Sequence, residues 1–266
     1  MKALLAALLL ACAASAEAAT HTLVVRMSQG MRTYSHTMKL EDGAQANFVG
    51  KPDGNGGDRN MIVNTMLSPA GAAFSMEIQL ELAHADKTQT FQVQTSVQMR
   101  PGEHLTQTEC GDWKVELILD GKPGRAAAAK GAWTSGGLDN YRLTTDVASS
   151  GKQRRCRQVV KLGTQSNIVD SVTTGGRKRG CILNTVLAEP SAAGFGLQYQ
   201  LEQSPLELQG QDTLPLGIKH TASASGGKVS FLLEGAQPAA AKASPASAPS
   251  AGAPSGTSEG AVPLLR

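Results

Sequence analysis

Two cysteines in the second half of the 266-residue chain are set among cations. Cys156 lies in RRCRQVV, beside Arg154, Arg155 and Arg157. Cys181 follows Arg177, Lys178 and Arg179 in RKRGC. In an oxidising compartment such a pair favours a disulfide over two thiols. A Cys156–Cys181 bond would close a loop of about 25 residues and contribute about 3–4 kcal/mol. It would also draw the six cations Arg154, Arg155, Arg157, Arg177, Lys178 and Arg179 into one patch, suited to an anionic partner. Two buried, unpaired thiols and an ordinary solvated strand edge, where cations discourage edge-to-edge aggregation, are the competing readings. Cys110 is left over, as a buried apolar residue or as a handle for a second chain.

Other chemistry finds no template. The five histidines (His21, His36, His84, His104, His220) form no short-spaced metal pair. Asp53, Asn55 and Asp58 lack the spacing of a calcium loop and read as turn formers. No nucleophile elbow, phosphate-binding loop or dinucleotide fingerprint occurs. Acidic residues stand singly, without the pairing that acid–base hydrolysis needs. The expectation is a non-catalytic protein with no metal and no cofactor. Nucleic acid is a poor partner, because no aromatic platform interleaves with the cations.

The elements that position these residues have a period of two. Phe91, Val93, Thr95, Val97 and Met99 alternate with Gln92, Gln94, Ser96 and Gln98, and Phe74 to Leu82 and Phe195 to Leu201 behave alike. Such alternation marks strands with one buried and one wet face. Turn clusters such as KPDGNGGD, RPGE, TTGGRK and SASGGK separate them. The strands also recur. GAQANFVGK at 43–51 returns as GTQSNIVDS at 163–171, MIVNTML at 61–67 as CILNTVL at 181–187, FSMEIQLEL at 74–82 as FGLQYQLEQ at 195–203, and WKVELILDG at 113–121 as GKVSFLLEG at 227–235. Order is kept throughout, which identifies a duplicated unit. The expected fold is all-β: two tandem homologous antiparallel β-sandwich or barrel-like domains of seven or eight strands each.

The boundaries follow from composition. Residues 1–18, with Lys2 and the apolar run ALLAALLLACAA, read as a signal peptide; a lipoprotein cleavage site at Cys12 is the minor alternative. Copy one spans 19–121, a Gly/Pro/Ala-rich linker 122–138, copy two 139–236, and an Ala/Pro/Ser-rich tail, expected to be disordered, 237–266. No segment is long and apolar enough to span a bilayer as a helix. Export to the periplasm is the expectation. The halves differ in sign: nine basic against twelve acidic residues over 19–122, and eleven against eight over 139–236.

Three segments of copy one, GAQANFVGKP, MIVNTMLSPAGAAFSMEIQLEL and FQVQTSVQMRPGEHL, resemble the β-rich C-terminal domain of secretins, the outer-membrane channels of secretion and type IV pilus systems. Gly43, Ala46, Val49 and Gly50 match a Gly-x-x-Ala segment ending in Val-Gly; Val97, Gly102 and Glu103 match a strand entering a Gly-Glu turn. Copy two is looser, with Asp170 in the Val-Gly ending. The resemblance implies a small envelope β-protein. Without room for periplasmic ring modules or membrane hairpins, it implies no pore. The reading is therefore an exported binding, scaffold or accessory protein of surface assembly or secretion. Its partner would be another envelope protein, and self-association is left open. The second reading is a module for anionic envelope glycans or lipid head groups, held by the basic patch.

Overall fold

A computed structural model describes residues 19–53, 57–121, 135 and 137–235, with Arg177 and Lys178 described in backbone only. The leader, most of the linker, and the tail lie outside the described residues. Copy one supplies β1 (Thr20–Gln29), β2 (Arg32–Glu41), β3 (Gln45–Gly50), β4 (Arg59–Ala70), β5 (Ala73–His84), β6 (Gln89–Met99), β7 (His104–Cys110) and β8 (Trp113–Leu119). Copy two supplies β9 (Tyr141–Ser149), β10 (Lys152–Val160), β11 (Gln165–Thr174), β12 (Arg177–Ser191), β13 (Gly194–Gln203), β14 (Leu206–Leu214), β15 (His220–Ala224) and β16 (Gly227–Gly235). Among the described residues no helix is long and apolar enough to cross a membrane.

The strands form two antiparallel eight-stranded sheets that do not close into a barrel. One runs β15-β16-β9-β10-β7-β8-β1-β2 and the other β14-β13-β12-β11-β6-β5-β4-β3. Each copy contributes the same four-strand block to each sheet. The copies are thus fused into two continuous layers. The repeat holds at the level of register: Leu23 faces Met38 as Leu143 faces Gln158, and Asn47 faces Asn64 as Asn167 faces Asn184.

The period-two pattern explains the packing. Phe91, Val93, Thr95, Val97 and Met99 are all buried, as are Met76, Ile78, Leu80 and Leu82. They meet Leu23, Met27, Val115, Leu117 and Leu119 of the facing sheet in one core. The turn after β2 needs a left-handed residue, and Gly43 supplies it at φ +74°, with its N–H donating to Leu67 O at 2.7 Å. Gly163 repeats this at φ +70°, donating to Leu187 O at 2.8 Å. Between the β4–β5 and β12–β13 hairpins the copies part at one point. Leu67-Ser68-Pro69 in β4 becomes Leu187-Ala188-Glu189-Pro190 in β12, and the extra residue is absorbed as a register shift between Leu187 and Pro190. A bulge accommodates such an insertion without moving the inward residues on either side.

Candidate binding surfaces

Cys156 is bonded to Cys110 and not to Cys181, so no disulfide ties the cation run of β10 to that of β12. On β10, Arg154 reaches across the layers to Asp170 of β11, Nη1 to Oδ2 at 2.6 Å. Arg155 donates from Nε to Asp146 Oδ1 of β9 at 2.5 Å, and Lys219 joins the same carboxylate at 3.1 Å. Arg157 meets Glu109 of β7 at 3.1 Å. Each of these three arginines therefore already has a carboxylate. Arg177, Lys178 and Arg179 open β12, where they face Thr174, Thr173 and Val172 across a hairpin, and Arg179 is exposed.

The hydrogen bond from Arg155 holds the Asp146 carboxyl below its ordinary range, outweighing burial. A carboxylate depressed in the folded state contributes stability above its unfolded pKa and loses it as pH falls through the folded one. The apparent unfolding temperature should therefore drop as pH falls below about 4. Asp146→Asn should flatten that drop; an identical acid profile for the variant would count against this ion pair.

The cysteine pairing corrects the sequence expectation. Cys110 on β7 lies directly opposite Cys156 on β10 and the two form the disulfide, with Cα atoms 4.0 Å apart. Cys181 is free and buried. Its thiol is pushed up to about 11, chiefly by burial, with Arg154 opposing the rise and Asp170 adding to it. Non-reducing peptide mapping should join the Cys110 and Cys156 peptides. Cys181 should resist alkylation at pH 8 until the chain is unfolded; a Cys156–Cys181 peptide would refute the assignment.

The disulfide sits on a seam. Copy two joins copy one through three residue pairs of β10 with β7 and six pairs of β11 with β6. Inside, the seam is polar but bonded. Gln158 donates to Thr185 Oγ1 at 2.8 Å and accepts from Ser166 at 2.8 Å, while Thr95 donates to Val159 O at 3.3 Å. Buried polar groups matched in this way avoid the desolvation cost of unpaired ones.

Sequence reasoning missed the most regular surface of the molecule. On the outer face of the second sheet, Asn47 faces Asn64, Asn64 faces Gln79, and Gln79 faces Gln94. Across the seam Gln94 faces Asn167, which faces Asn184, then Gln200, then Gln209. Every one of the eight strands places an amide on this rung. Asn64, Asn167 and Asn184 donate from Nδ2 to Gln79, Gln94 and Gln200 at 3.4, 3.4 and 3.3 Å. None of the eight is buried. The row is about 34 Å long at normal strand spacing. Each amide keeps donors and acceptors for an outside partner.

A second feature lies at the other end of copy one. Arg59, 4% exposed, donates to Gln29 Oε1 at 3.1 Å and Gln89 Oε1 at 2.6 Å. It lies 5.8 Å from the Tyr34 ring and 5.9 Å from the Trp113 ring. Two amide oxygens and two ring faces thus take the place of a counter-ion. A cleft of about 460 Å³ lined by Arg32, Tyr34, Asp58 and His84 opens beside it. Among the described residues, no group of three or more His, Cys, Asp or Glu side chains is placed to hold a metal ion.

These features define a class: a two-layer antiparallel β protein of fused duplicate halves, with one face crossed by an amide row. Compared with protein-family models, curated proteins and solved structures, the chain matches none.

Proposed function

We propose that the chain is an exported, non-catalytic envelope protein that binds or scaffolds another component during surface assembly or secretion. The amide row carries this reading. It offers a long, flat, regularly spaced set of hydrogen-bonding groups, as a docking face for an extended partner requires. The leader composition and a disulfide, at home in oxidising compartments, support an envelope setting. The three segments resembling secretins fall on β3, on β4 and β5, and on β6 with the turn into β7, so they include the copy-one strands of this face. Two measurements test it together. Osmotic-shock fractionation should recover the chain, shortened by its leader, in the periplasm. A photo-crosslinking residue at Gln94 should give a discrete adduct with an envelope component. A cytoplasmic chain, or no adduct at any rung of the row, overturns the reading.

The anionic-ligand reading rests on the exposed Arg179 and its neighbours Arg177 and Lys178, since Arg154, Arg155 and Arg157 are already paired. Retention on vesicles containing anionic lipid should then fall steeply with salt and vanish on reversing those three charges.

A further inference from the structure

We propose that the chain assembles head to tail with copies of itself, by adding β3 of one molecule to β14 of the next in the register of its internal seam. This rests on the scaffold reading above and names a second copy of the chain as the partner.

The two ends of the second sheet are the two sides of the seam, left open. By the repeat, β3 corresponds to β11 and β14 to β6. Inside the chain β11 and β6 pair with each other; among the described residues nothing pairs with the outer side of β3 or of β14. Burial reports the missing neighbour. Ile168 and Val93, which face each other at the seam, are both 0% exposed. Their counterparts Phe48 and Leu208 are only partly buried. The amide row ends in the same way. At the seam Asn167 bonds Gln94, and their counterparts Asn47 and Gln209 are the exposed terminal amides of the row. Addition of a second molecule would place Asn47 against Gln209, Phe48 against Leu208 and Val49 against Glu207, continuing both core and row.

The contrast with the first sheet sharpens the case. Its free strand β2 is guarded: Asp53 N–H donates to Ser35 O at 2.7 Å. At the seam the equivalent carbonyl, of Arg155, accepts from Gly111 of the other copy at 3.2 Å. The loop after β3 therefore fills the slot a neighbour would use. By contrast β3, sequence QANFVG, carries neither charge nor proline, the usual guards of an edge strand. Val49 is 75% exposed on it. The seam in the second sheet is also the longer one, six pairs against three. No disulfide would lock the new junction, because His36 and Ala224 stand where Cys156 and Cys110 stand inside the chain. The acidic first copy would meet the basic second copy. A contact of this head-to-tail kind does not close on itself in a dimer and so yields chains or rings.

Sedimentation velocity on the full chain, purified after export, should show a weight-average mass that climbs past two copies with concentration. Val49→Glu, which sets a carboxylate opposite Glu207, should weaken association by about fivefold. Val49→Glu combined with Glu207→Lys should restore it. Both positions are exposed, and unchanged circular dichroism would confirm that the variants fold. A monomer at every concentration, a symmetric dimer that stops at two copies, or association indifferent to Val49→Glu overturns the proposal. A monomer that still gives the Gln94 envelope adduct sinks self-assembly and leaves the envelope reading standing. A chain found in the cytoplasm sinks that reading whatever its mass.

Discussion

Replacing both Cys110 and Cys156 by alanine is expected to lower the unfolding free energy by about 4 kcal/mol. The bond links residues 46 apart in sequence. Opening a loop of that size frees much of the denatured chain's configurational entropy, and the loop contains the whole connection between the copies. The structural context adds to this. The cross-link lies on the weaker half of the seam, where β10 and β7 share three residue pairs. Cys110 is 0% and Cys156 1% exposed, so alanine is the correct replacement; serine would add the cost of burying two hydroxyls. For a chain of this size the loss corresponds to a fall of about 8–16 °C in midpoint temperature. Cys181→Ala removes a buried thiol but no cross-link and should cost about 1 kcal/mol. Urea unfolding of the two variants side by side checks the ordering. A loss below 1 kcal/mol for the double variant would mean the seam holds without its covalent tie.

Much of the fold was legible because it depends on local pattern. Alternation at 74–82 and 91–99 identified inward and outward residues, and nearly all the inward ones are buried. The repeat gave equivalent hairpins, since a hairpin register is fixed by its own turn. How the two halves meet was not legible. No turn connects β11 to β6 or β10 to β7, so nothing local specifies that these edges pair. The fused layers arise from completing the hydrogen bonding of four edge strands at once, a gain that appears only when both copies are folded. The cysteine error has the same origin. Pairing Cys156 with Cys181 assumed that partners belong to one copy. The register across the seam brings Cys110 of the other copy to 4.0 Å instead.

The binding face was present in the sequence and overlooked for a physical reason. Asn47 and Asn167, Asn64 and Asn184, Gln79 and Gln200, and Gln94 and Gln209 occupy matching places in the two copies. Gln79, Gln94 and Gln200 stand out in the sequence only as the wet half of alternating strands, where any polar side chain would serve, and the four asparagines only as members of the repeat. Their common rung depends on the stagger of six hairpins and one seam, and that stagger is a tertiary quantity. The cations failed in the opposite direction. RRCRQVV advertises positive charge, but Asp170, Asp146 and Glu109 neutralise it from three different strands, two of them outside its own hairpin.

Phe91→Ala should be the most damaging single core substitution at the seam, costing about 3–5 kcal/mol. Phe91 is fully buried in β6 and stacks on Trp113 with ring centroids 4.6 Å apart and planes 10° from parallel. It lies opposite Asp170 of β11, inside the longer half of the seam. Its loss would empty the space between Trp113 and the second sheet, and Trp113 is one of the two rings over which Arg59 lies. The void would thus weaken the stack, the cation's setting and the junction together. Phe91→Leu keeps most of the volume and should cost well under half as much. The counterpart position, Leu206 at the open end of copy two, is also fully buried but touches no seam. Combining Phe91→Ala with the double cysteine variant is the sharper measurement. Both changes weaken one junction, so their effects should depart from additivity by about 0.5 kcal/mol or more. Leu206→Ala combined with the same cysteine variant should be additive. If Phe91→Ala and the cysteine change add as independently as that control does, the two halves of the seam do not act as one unit.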